Sequence, residues 1–276
     1  MRTRWRGIFA FFVVTVVATY SLDSLIKVMR GGGKASMAEG AAIANLLMLV
    51  PGLVALGFAV ATKQPLRSSL GLRWTPNRWW LVAWILPALM AAAMIGLRLL
   101  EPGSAFTPPQ SGPWALLPVV QPWGALLAGL LAGGTICLPG ALGEELAWRG
   151  YLHTETAHLG FWSGSLVIAL AWIGWHLPSF LLAGLGLWPC VGLLVTTPLI
   201  VFLRNRGASV LTAALFHGTM SGTWLIPGAL VSGGGLGKYL AIIPGLFCLL
   251  FVLFAQNRVA EHASSIDAAV GSPSRP

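Results

Sequence analysis

Charge is scarce in this sequence of 276 residues. Charged side chains make up 9% of the chain, hydrophobic ones make up 56%, and only eight residues are acidic. Soluble domains carry roughly a quarter charged residues. The composition therefore indicates an all-α polytopic membrane protein, in which each span needs about 20 apolar residues. About eight apolar segments are candidate spans, at 7–22, 41–61, 79–97, 123–146, 161–182, 188–202, 209–225 and 239–254. The first, sixth and last are short, so seven spans is the alternative.

Several catalytic and metal-binding signatures are also missing. No H-E-x-x-H sequence occurs, no aspartate lies inside an apolar segment, and no G-x-S-x-G is present. These absences argue against zincin-type, paired-aspartate and serine-elbow proteases. The three cysteines, Cys137, Cys190 and Cys248, lie in apolar segments without C-x-x-C spacing. They indicate packed core residues and neither disulfides nor a zinc cluster.

The net charge of +9 is explained by membrane topology and requires no nucleic-acid partner. With eight spans and a cytoplasmic N-terminus, most lysines and arginines fall on the inside, as the positive-inside rule expects. The predicted orientation places both termini in the cytoplasm, and the predicted location is a bacterial plasma membrane. The first 20 residues resemble a signal peptide, but they lack a small-x-small cleavage site, so we predict a retained first span.

The predicted domain organisation is simple. Residues 1–255 form a single transmembrane domain, with a protease core at about 70–224, and residues 256–276 form a polar, disordered tail. No inverted repeat of the kind found in transporters is visible.

Glu144 and Glu145 form the most informative pair in the chain. They end a long apolar run, where a carboxylate is costly unless it is paired or protonated. On a helix, Arg149 lies one turn after Glu145 and on the same face, which predicts a salt bridge. Glu144 is rotated about 100° from that face and is left available for chemistry.

Two histidines, His176 and His217, also lie inside apolar segments. With Glu144, they place three polar groups on three predicted helices, which indicates a functional site. A carboxylate in a dry pocket can act as a general base for water, with the histidines as proton donors. The same three side chains could instead hold a catalytic divalent metal such as zinc. The sequence leaves both mechanisms open.

These residues occur in three motifs that resemble the CPBP family of intramembrane proteases, which includes the type II CAAX prenyl proteases. Glu144, Glu145 and Arg149 match E-E-x-x-x-R, Trp172 and His176 match an aromatic-x-x-x-His motif, and His217 matches His-x-x-x-Asn. This chain departs from the family pattern twice. Trp172 stands where Phe is usual, and Ser221 stands where Asn is typical.

The resemblance implies a role for each residue. Glu144 would activate water with help from His176, whereas His217 and Ser221 would polarise the scissile carbonyl. Glu145 and Arg149 would form a structural pair. Ser221 could alternatively bond a carbonyl of its own helix. The E-E-x-x-x-R motif lacks zincin ligand spacing, which favours a metal-independent mechanism.

The predicted function is hydrolysis of a peptide bond in a membrane-associated peptide or protein. One alternative is a non-catalytic family member that binds a partner or confers resistance to a peptide toxin such as a bacteriocin. Another is a transporter in which the glutamate and histidines relay protons, but the nearby Arg149 and the absent repeats argue against it.

Overall fold

The computed structural model describes residues 2–31, 33, 35–107, 122–233 and 242–269, and it is almost entirely helical there. The helices are α1 (Arg2–Met29), α2 (Met37–Ala61), α3 (Leu66–Ser69), α4 (Arg78–Leu99), α5 (Trp123–Gly134), α6 (Leu138–Glu145), a π-helix (Leu146–Leu152), α7 (His153–Thr156), a 3₁₀ turn (Ala157–Leu159), α8 (Gly160–Leu182), α9 (Trp188–Arg206), α10 (Val210–Thr223), α11 (Ile226–Leu230) and α12 (Ile243–Ala269). Two short strands, β1 (Ala105–Phe106) and β2 (Val231–Ser232), pair antiparallel.

The long helices confirm the membrane class. Within the described residues, five segments are long and apolar enough to cross a bilayer, and two shorter apolar helices accompany them. One of the five, Leu138–Leu182, has 45 residues, more than twice the length of one span. Gly160, with φ of 76°, interrupts this segment and begins α8. The prediction of eight spans with cytoplasmic termini stays a prediction.

The predicted fourth span is not one continuous helix. It breaks between α5 and α6, where Thr135 has φ −130° and ψ −81°. Gly133 and Gly134 end α5 and are poor helix formers, and Pro139 lies in the first turn of α6, where its missing N–H is tolerated. The axes of α5 and α6 can therefore point in different directions, and α6 can pack along α2.

The predicted domain division at residue 255 stays a prediction. The last helix, α12, continues to Ala269, so the backbone of the predicted tail is helical up to that residue. Residues 270–276 of the predicted tail lie outside the described part of the chain.

Glycine contacts bring the central helices unusually close. A Cβ on Gly143 would lie 2.5 Å from the Met48 carbonyl oxygen, and one on Gly52 would lie 2.6 Å from the Gly143 oxygen. The same closeness joins α5 to α10, because a Cβ on Gly129 would lie 2.6 Å from the Gly222 oxygen. Small residues at such positions let membrane helices pack backbone to backbone. These contacts fix α2, α6 and α10 around the glutamate pair.

The ends of several helices meet at one end of the bundle. Gln64 donates to Glu155 at 2.9 Å, Thr154 donates to the Ser69 carbonyl at 3.0 Å, and the Val210 N–H donates to the Gly71 carbonyl at 3.0 Å. We call this region the basic end, because it carries the arginines of the neighbouring loops and helix ends: Arg67, Arg73, Arg78, Arg204 and Arg206.

Candidate active site

The glutamate pair lies at the end of α6, where the helix changes to π geometry. Glu144 and Glu145 are both fully buried, and so is Arg149 within the π-helix. Single π turns inside α-helices are rare and frequently mark functional sites. Arg204 of α9 donates its Nε–H to the Arg149 carbonyl at 3.1 Å, so this backbone carbonyl of the π-helix has a side-chain hydrogen-bond partner.

Glu144 has two neighbours on α8. Its Oε2 accepts the indole N–H of Trp172 at 2.6 Å, and it lies 3.7 Å from Nε2 of His176. Its Oε1 is buried and has no hydrogen-bond partner among the described residues. The sequence suggested that Glu144 has no partner. In the structure one of its oxygens is bound by Trp172, and the other is available to bind a water.

Glu145 binds two groups through one oxygen. Its Oε1 accepts from Nη1 of Arg149 at 2.8 Å, which confirms the predicted salt bridge, and it lies 2.8 Å from Nδ1 of His217. The bond to His217 was not predicted, because it joins residues 72 positions apart. Glu145 is thus more than a partner for Arg149, since it also holds the histidine of α10.

Trp172 is the centre of the site. The guanidinium carbon of Arg149 lies 4.1 Å from the centroid of its ring, a cation–π contact. Its ring centroid lies 5.7 Å from that of His176 and 5.3 Å from that of His217. The three residues proposed for catalysis, Glu144, His176 and His217, therefore surround one indole, as the expected convergence on a single site requires.

Among the remaining residues near the site, one predicted role has no support in the geometry, and sequence reasoning missed other residues. Ser221 is exposed and makes no hydrogen bond among the described residues, so its geometry gives the oxyanion role no support. Thr197 of α9 was missed, although Arg149 donates to its hydroxyl at 3.4 Å. A threonine in the middle of an apolar helix gives little signal by itself. The spacing of Gly129 and Gly133 is typical of close helix packing, so the sequence could have predicted a helix contact there.

The metal alternative was tested against the positions of the donor atoms. In the described part of the chain, no group of three or more His, Cys, Asp or Glu side chains has the arrangement of metal ligands. His217 directs Nδ1 at Glu145, and the Trp172 N–H occupies one oxygen of Glu144, which leaves Nε2 of His217 and Oε1 of Glu144 without these partners. Glu144, His176 and His217 are not grouped as metal ligands in the described residues, so the chemistry of the site is assigned to these side chains themselves.

A comparison with protein-family models matches the part of the chain that contains the site. Residues 123–223 match the family model of the type II CAAX prenyl endopeptidase, Rce1-like. The match confirms the resemblance seen in the motifs, and it contains every residue of the candidate site. The matched family is one of endopeptidases, and the long apolar helices point to an integral membrane protein. No curated protein matches the chain.

Proposed function

We propose that this protein is an intramembrane endopeptidase in which Glu144 is the general base. The observation that carries the proposal is the buried Oε1 of Glu144, which lacks a protein partner while Oε2 is held by Trp172 beside the partly exposed His176. Oε2 of Glu145 also lacks a partner, but that carboxylate is paired with Arg149 and His217. A carboxylate fixed at one oxygen and open at the other can bind a water in a defined direction. General base catalysis of this kind contributes about 10²–10⁴-fold to rate.

His176 is placed to complete proton transfer. It lies 3.7 Å from Glu144, and its side chain is 23% exposed while that of Glu144 is 1% exposed. His176 is thus the member of the pair that an incoming peptide meets. Water attack on the carbonyl carbon transfers a proton to Glu144 and forms a tetrahedral intermediate. Glu144, directly or through His176, returns that proton to the amide nitrogen as the intermediate collapses, so the C–N bond breaks with release of a neutral amine.

His217 is proposed to stabilise the oxyanion as an imidazolium. If its Nδ1–H donates to Glu145, a neutral ring has no hydrogen on Nε2 and cannot donate to a carbonyl oxygen. Two carboxylates and one guanidinium leave the cluster with one negative charge, which is costly in a membrane interior. A proton on His217 neutralises the cluster and creates the Nε2–H donor. Glu145 is then the positioning residue for His217.

The proposed substrate is a membrane-associated peptide or protein, reached from the bilayer of a bacterial plasma membrane, with no nucleic-acid partner. The family description names CAAX prenyl substrates, so a lipidated C-terminal peptide is the first to test. A matched peptide without the prenyl group shows whether the lipid is required.

The test uses purified protein in detergent and an internally quenched peptide in both forms. Glu144→Gln keeps the size of the side chain and should lower turnover by 100-fold or more. Glu155→Gln is the matched control, since Glu155 contacts Gln64 and lies outside the site, and it should be fully active. Cleavage that is absent from the wild type, with toxin resistance or partner binding intact, would favour the non-catalytic alternative.

A further inference from the structure

A cavity with several polar lining groups lies near the basic end, apart from the glutamate cluster. It has a volume of about 160 Å³ and is formed by α7, the 3₁₀ turn, the start of α8 and the end of α9. At about 30 Å³ per water molecule, this volume holds roughly five waters or one small polar group. Glu144, His176 and His217 do not line it, so it is distinct from the candidate active site.

One wall of this cavity carries an unsatisfied hydroxyl. Ser165 of α8 is 1% exposed, and its Oγ has no hydrogen-bond partner among the described residues. Hydroxyls in apolar helices usually bond a carbonyl one turn earlier, as Thr156 in the same wall does to Leu152 at 2.8 Å. An unpaired buried hydroxyl is destabilising. Ser165 therefore points to an occupant that accepts its hydrogen.

Other donors face the same space. The Oδ1 of Asn205 accepts from Nη1 of Arg204 at 3.2 Å. The Asn205 side chain also interacts with His153, which lines the same cavity, and its amide NH₂ is the donor that it can offer to an occupant. The 23-residue helix α8 begins beside the cavity without a side-chain cap. Its first-turn N–H groups are therefore without helical partners and lie at the positive end of the helix dipole.

The unpaired charge near this cavity is positive. His153 lines the cavity, and the guanidinium group of Arg204 lies close enough to interact electrostatically with it, whereas the charge of Arg149 is paired with Glu145. The acidic residue nearest in sequence, Glu155, is hydrogen-bonded to Gln64 and does not line the cavity. Donors in a positive environment recognise an anion.

We propose that this cavity binds a phosphate group. The Ser165 hydroxyl and the first-turn N–H groups come from α8, and the Asn205 amide comes from α9, so donors approach from two helices, as recognition of a multivalent oxyanion requires. The phosphate comes either from the surrounding solution or from the headgroup of a membrane lipid. This binding site is independent of the proposed proteolytic function.

The first experiment measures thermal unfolding of the full chain in an uncharged detergent, with inorganic phosphate or with chloride at matched ionic strength. Phosphate should raise the melting temperature of the wild type. Ser165→Ala should weaken the apparent phosphate affinity about tenfold, the loss of one hydrogen bond to a charged group, without lowering the melting temperature in chloride. Asn205→Asp replaces a donor with a negative charge and should abolish the response. Ser163→Ala, at an exposed position of the same helix, should respond as the wild type does.

The second measurement separates the two sources of phosphate. Native mass spectrometry of wild type and Asn205→Asp, extracted from the same membranes, counts retained phospholipid. Retention by the wild type alone assigns the phosphate to a lipid headgroup. A phosphate-dependent shift without retained lipid assigns it to free phosphate. The proposal is overturned if phosphate shifts no melting temperature and lipid retention is equal, or if Asn205→Asp responds like the wild type.

Discussion

Replacing Arg149 with alanine should destabilise the folded protein strongly. The side chains of Arg149 and Glu145 are both 0% exposed and are joined at 2.8 Å. Ion pairs on protein surfaces contribute about 0–1 kcal/mol, whereas removal of one partner from a buried pair costs about 3–5 kcal/mol. The larger value applies here, because Arg149→Ala leaves Glu145 buried with only His217 beside it. The contact of the guanidinium with Trp172 is lost as well.

The assay is equilibrium unfolding in mixed micelles, with the yield of folded protein as a second measure. Arg206→Ala is the control, since Arg206 is exposed, and its stability should stay within about 1 kcal/mol of the wild type. The double variant Arg149→Ala with Glu145→Gln should regain part of the loss, because it removes the uncompensated charge. The reasoning is refuted if Arg149→Ala costs less than about 1 kcal/mol, or if the double variant is less stable than the single one.

The parts of the site that follow from local spacing were predicted correctly. Glu145 and Arg149 are four residues apart, a spacing that brings side chains together on a helix, and the salt bridge is present although Arg149 lies in the π-helix. The placement of Glu144 near His176 followed from the cost of buried polar groups, which must find partners on other helices. The membrane class followed from composition, since 9% charged residues cannot cover a soluble surface.

The parts that depend on packing were not predictable. The bond from Glu145 to His217 requires α10 to lie against α6 at one register, which the glycine contacts between helices determine. The π-helix changes the direction of the side chains after Glu145, and no residue type marks its position in the sequence. Trp172 was recognised as a departure from the family motif, but its hydrogen bond to Glu144 depends on the orientation of the indole ring.

Three further variants test individual contacts of the site. Trp172→Phe removes the indole N–H but keeps an aromatic ring. Turnover should fall about tenfold with unchanged KM, because a hydrogen bond to the charged Glu144 is lost. An unchanged kcat would contradict a positioning role for Trp172. Gly143→Ala would place a Cβ 2.5 Å from the backbone of α2 and should cost about 1–3 kcal/mol of stability, whereas Gly57→Ala, which has nothing within 4 Å, should be neutral in the same unfolding assay. Ser221→Ala tests the remaining departure from the family motif. Ser221 is exposed and unbonded among the described residues, so its loss should change turnover by less than about twofold, whereas removal of an oxyanion donor costs about 100-fold or more. A large fall in kcat for Ser221→Ala, with KM retained, would show that substrate binding brings this hydroxyl into the site and would assign it the role that Asn has in the family.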